Sequence, residues 1–82
     1  MIEKLIDELS DTKMILKSTT NANMQNVVGM SGYMCIVGDK QIELNSLSGD
    51  RMNTSSIVNY SFDDSILKAT TQSGNVYIFE VV

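Results

Sequence analysis

The chain predicts an α+β domain, a short N-terminal helix packed on a curled antiparallel sheet of about five strands in an SH3-like or open-barrel meander. Three observations carry that prediction. Residues 1–10 repeat apolar side chains at helical spacing. The rest of the chain is cut into short apolar stretches by turn residues. Ser, Thr and Asn, whose side chains compete with helical hydrogen bonds, supply 23 of the 82 residues.

In MIEKLIDELS, Ile2, Leu5, Ile6 and Leu9 fall on one helical face and Glu3, Lys4, Asp7 and Glu8 on the other. Ser10-Asp11-Thr12 ends the helix by offering side chains to the backbone. Lys13 to Thr19 follows as a strand, although Leu16 also continues the helical face. Asn21-Ala22-Asn23 is a loop, and Gly29 and Gly32 bracket a turn.

Tyr33 to Val37 and Lys40 to Asn45 read as a hairpin joined by Gly38-Asp39, a two-residue type II′ turn. That loop sets Cys35 opposite Ile42 and Tyr33 opposite Leu44. Cys35 then turns inward, while Met34, Ile36, Gln41 and Glu43 share the other face.

Three further strands follow, Ser55 to Phe62, Ser65 to Thr71 and Val76 to Val82, with turns at Asp63-Asp64 and Ser73-Gly74-Asn75. These turns put Tyr60 opposite Leu67 and Lys68 opposite Glu80. Val58, Tyr60, Leu67, Ala69, Phe79 and Val81 become one apolar face. The opposite face still carries Ile57, Ile66, Val76 and Ile78, with Met34 and Ile36. One short helix does not cover a sheet apolar on both sides, so a partner or a second copy covers the remainder. The plainer alternative is that β-branched residues serve as good strand formers at half-exposed positions.

A chain of 82 residues is one domain, residues 1–82. With no histidine it lacks the usual general base and metal ligand. One cysteine and no histidine give no zinc site, and no glycine spacing forms a phosphate cradle. Asp63-Asp64 reads as a turn, and Cys35 as a core thiol with no activating base. We therefore expect no catalytic residues, no metal and no cofactor. A net charge of −4, with six scattered cations, opposes nucleic-acid binding. No apolar run approaches the length of a membrane span, and the cysteine count fits the cytoplasm.

The stretches GDRMNTSSIV and ILKATTQSGNVYIF resemble a pattern in small accessory proteins of phages and mobile elements, through Gly49, Asp50, Thr54, Ser55, Ile57, Val58, Thr71, Gly74 and Tyr77. The resemblance implies a bacterial host cell and a role in binding and blocking a host protein, including a defence protein. It assigns no functional residue.

The expectation is thus a non-enzymatic protein-binding module that occupies a partner's surface and forms a homodimer. The candidate interface is Ile57, Ile66 and Ile78, rimmed by Glu80, Glu43 and Asp64. The alternative is a small β-barrel that binds nucleic acid or acts in regulation.

Overall fold

The computed structural model describes residues 9–38 and 40–82. Seven strands follow in order: β1 Lys13–Thr19, β2 Ser31–Val37, β3 Gln41–Asn45, β4 Arg51–Asn53, β5 Ile57–Asp63, β6 Ile66–Thr71 and β7 Val76–Val81. The architecture is therefore nearly all-β rather than α+β, and no helix among the described residues reaches seven residues. The helix expected over residues 1–10 lies outside the described residues as far as residue 8. Its last apolar member, Leu9, is buried in the core.

All pairings are antiparallel, and the strand order is β4-β3-β2-β1-β7-β6-β5. The two ends of that order, β4 and β5, are consecutive in the chain and joined only by residues 54–56. Flat, the sheet would hold them about 29 Å apart at the usual strand spacing. The linker spans at most about 14 Å. The sheet therefore has to curl into a barrel. Thr54 N–H donates to Ile42 O at 2.9 Å, Ile57 N–H to Lys40 O at 2.8 Å, and Gln72 N–H to Ser56 O at 2.9 Å. Thus β4 and β5 act as one bent strand whose first half pairs with β3 and whose second half pairs with β6.

Closure gives the sheet an inside, which answers the covering problem raised by the sequence. Met14, Leu16, Met34, Ile42, Leu44, Leu67, Ala69, Tyr77 and Phe79 point inward and are almost fully buried. Each large aliphatic or aromatic side chain buried there contributes about 1.5–3 kcal/mol. The Tyr77 and Phe79 rings stack with centroids 6.3 Å apart. Residues 22–27 form a 3-10 turn where a plain loop was expected, and Met24, Val27 and Met30 pack from it and its exit against the core. Asn21 holds that turn in place, accepting Asn23 N–H at 3.0 Å and donating from Nδ2 to the Tyr77 hydroxyl at 3.0 Å.

The β2–β3 register differs from the expected one by a single residue. Val37 faces Gln41, so the loop spans residues 38–40, with Lys40 at φ 63. Met34 then meets Leu44 and Ile36 meets Ile42, while Cys35 meets Glu43 and Tyr33 meets Asn45. A one-residue slip exchanges the two faces of a strand pair. Here it gathers the aliphatic residues inside and turns Cys35, expected in the core, to the outer face.

At the later turns the expected pairings shift by an even count, and the faces survive. The β5–β6 turn is Asp64-Ser65, with φ 51 and 68, so Tyr60 faces Ala69. Lys68 faces Ile78 rather than Glu80, because Thr71 closes on Asn75 around Gly74 at φ 89. Leu67, Ala69 and Phe79 point inward as expected. A bulge between Ile57 and Asn59 reverses the start of β5. Ile57 is only 6% exposed and belongs to the core, whereas Val58 is 60% exposed.

Candidate functional site

The outer face is read by following the registers across the strands. One row runs Ile15–Glu80–Ile66 across β1, β7 and β6, and the next runs Ser18–Ile78–Lys68. Ile15, Ile66 and Ile78 are half-buried on this face, Ile15 and Ile66 on either side of Glu80 and Ile78 one row away. Strand alternation places them there: their sequence neighbours Met14, Leu16, Leu67, Tyr77 and Phe79 fill the interior. A bulge between Leu16 and Ser18 makes Lys17 an extra residue, and its ammonium lies 3.6 Å from the Glu80 carboxylate.

The six residues of the expected interface are therefore divided. Ile66, Ile78 and Glu80 share this patch. Ile57 does not, because the β5 bulge sends it into the core. Asp64 is exposed in the β5–β6 turn. Glu43 sits on β3, separated from β7 by β2 and β1. Ile15 and Lys17 complete the patch, and neither was paired with it in the sequence. The β1–β7 contact that brings them there joins the first and last of the described strands, and no local pattern announces it.

A second feature adjoins this patch. Lys13, Ser31, Tyr33, Ser46, Leu47 and Ser48 line a shallow groove of about 230 Å³ over β1, β2 and the β3–β4 connection. Leu47 at its rim is 90% exposed. Lys13 faces Tyr33, two residues along β1 from Ile15. Groove and patch are thus continuous along one strand.

Around Glu43 the chemistry is self-contained. Asn45 Nδ2 donates to Glu43 Oε1 at 3.0 Å and to Cys35 Sγ at 3.5 Å, and Cys35 Sγ lies 3.7 Å from the same carboxylate oxygen. Arg51 approaches Glu43 Oε2 at 3.9 Å. Partial burial pushes the Cys35 thiol above its ordinary pKa, and the Glu43 charge and hydrogen bond push it further. The direction is opposite to that of an activated nucleophile, whose thiolate is favoured.

Among the described residues no three His, Cys, Asp or Glu side chains stand close enough to hold a metal ion. No helix among them is long and apolar enough to cross a membrane. No family model, curated protein or solved structure matches the chain.

Proposed function

We propose that the protein is a non-enzymatic binding module that engages another protein through the outer face of β1, β7 and β6. The observation that supports this reading is the set of three isoleucines, Ile15, Ile66 and Ile78, on the outside of a barrel whose interior is already filled. The fold does not need them there for its core. Protein interfaces draw most of their energy from a few apolar positions set among polar ones. As an inhibitor, the role implied by the phage-protein resemblance, the module would work by covering a surface on its target.

The test compares capture from an extract of the native host by the wild type, Ile78→Asp, Ile78→Thr and Asn53→Asp. Asn53 is exposed on β4, away from the patch. We expect a species held by the wild type and Asn53→Asp to be lost with Ile78→Asp and weakened with Ile78→Thr, which keeps a β-branched strand former. Circular dichroism of each variant checks the fold. Undiminished capture by folded Ile78→Asp overturns the reading.

A further inference from the structure

The methionines divide into two groups by their access to solvent. The chain has six, five of them among the described residues. Met14 and Met34 are fully buried and Met52 is 3% exposed, so their thioethers are closed to a solute in water. Met24 and Met30 are half-buried, and both belong to one segment, the 3-10 turn and its exit.

That segment caps the end of the barrel where Thr19 pairs with Tyr77. Its apolar hold on the core consists of Met24, Val27 and Met30, and no residue of the turn itself is buried. The rest of the hold is polar and partly open to water. Gln25 Nε2 donates to Thr19 O at 2.7 Å and Asn21 Nδ2 to the Tyr77 hydroxyl at 3.0 Å. Gly29 N–H donates to Leu16 O at 2.8 Å, and Leu16 N–H to Met30 O at 2.9 Å, which fastens the exit to β1. Two of the three apolar anchors are thus the thioethers that an oxidant in solution reaches first.

We propose that residues 21–30 form an oxidation-sensitive clasp, in which a hydroperoxide oxidises Met24 and Met30 and so releases the cap while the seven strands stay folded. The terminal peroxide oxygen passes to the thioether sulfur as the O–O bond breaks. The other oxygen takes the proton and leaves as an alcohol, or as water from hydrogen peroxide. Sulfur loses two electrons and the peroxide gains them. The sulfoxide is polar where the thioether was apolar, so returning it to the core strips water from its oxygen. Release withdraws Asn21 from the Tyr77 hydroxyl and uncovers the core at that end.

The experiment treats the full chain with dilute hydrogen peroxide. Oxidation is mapped by mass spectrometry of its peptides, and opening is read as thermolysin cleavage within residues 21–30, well below the melting temperature. Met24 and Met30 should gain oxygen before Met14, Met34 and Met52. Cleavage in the cap should then quicken about tenfold, with the strand signal in circular dichroism retained. Methionine sulfoxide reductases should return cleavage to its starting rate. The double variant Met24→Leu, Met30→Leu keeps the apolar volume, and it also keeps Met1 and Cys35. Peroxide should leave its cleavage unchanged.

Interior methionines oxidised as fast as Met24 and Met30, an oxidised cap cleaved no faster, or the same quickening in the double variant would each overturn the proposal. Cleavage spread over the strands after oxidation also overturns it, because the barrel then unfolds together with its cap.

Discussion

Ile42 and Thr54 bind each other reciprocally at the seam of the barrel. Thr54 N–H donates to Ile42 O at 2.9 Å, and Ile42 N–H donates to Thr54 Oγ1 at 3.1 Å. The hydroxyl stands in for a ladder carbonyl where the β4–β5 strand bends away, and its own O–H donates to Ser55 O at 2.7 Å. Thr54 is 4% exposed and Ile42 fully buried, so the backbone donor has no access to water in exchange.

Replacing Thr54 with Val keeps the shape and leaves that buried N–H without an acceptor. The cost should be about 1–3 kcal/mol. In a domain of this size each kcal/mol lowers the melting temperature by about 4–8 °C. Calorimetry would show the drop, and hydrogen exchange at the Ile42 amide would quicken. Thr54→Ser, which keeps the acceptor, should recover most of the loss. A Val variant as stable as the wild type would dismiss the role given to this hydroxyl.

Gly32 lies buried in β2 where backbones come close. A Cβ there would stand 2.7 Å from the Asn45 carbonyl carbon and 2.8 Å from its oxygen. These are main-chain atoms of the adjacent strand and cannot swing aside as a flexible side chain would. Gly32→Ala should destabilise by about 1–3 kcal/mol, the usual cost of overpacking. Denaturant titration checks it, and an unchanged midpoint would contradict it.

The β5–β6 turn offers a gain in stability. Asp64 and Ser65 both hold positive φ, 51 and 68, the geometry of a type I′ turn, for which Asp-Gly is a preferred pair. Ser65→Gly should therefore stabilise by about 0.5–1 kcal/mol through relief of the left-handed conformation, less glycine's greater freedom when unfolded. Val81 N–H still finds the carbonyl of residue 65, since that bond uses only backbone. A lower melting temperature for this variant would refute the assignment.

Cys35 should alkylate slowly with iodoacetamide at neutral pH, because burial and then Glu43 hold its pKa above the ordinary value. Glu43→Gln removes the charge and should speed the reaction at a given pH. The linked effect on stability has a definite sign. The folded state holds the thiol proton more tightly than the unfolded chain, so this contribution is complete below the ordinary thiol pKa. It is lost as pH rises through that value toward the raised one. A Glu43→Gln variant that alkylates no faster would show that the carboxylate does not govern the thiol.

Much of the β structure was legible locally. Lys13–Thr19 is a strand with the bounds its sequence suggests, and Leu67, Ala69 and Phe79 share the inner face. Three-residue β4 carries too little alternation to be seen, and the 3-10 turn at residues 22–27 reads as loop because its hold on Tyr77 comes from a strand distant in sequence. Ile66, Ile78 and Glu80 share one outer face, as the sequence suggests, because period-two alternation within β6 and β7 survives any even shift of register.

The chain's own pattern determined that this would be a small domain of short strands, with no histidine for catalysis and with more apolar strand positions than one sheet face holds. Only the tertiary structure decided which of them face outward. Alternation divides a strand into two faces without naming the inner one. That choice came from one extra loop residue before Gln41, a bulge at the start of β5, and the pairing of β1 with β7. The register and the bulge turned Met34, Ile36 and Ile57 toward the core, so the sheet covers its own inner face, and the β1–β7 pairing placed Ile15 across Glu80 from Ile66 on the outside.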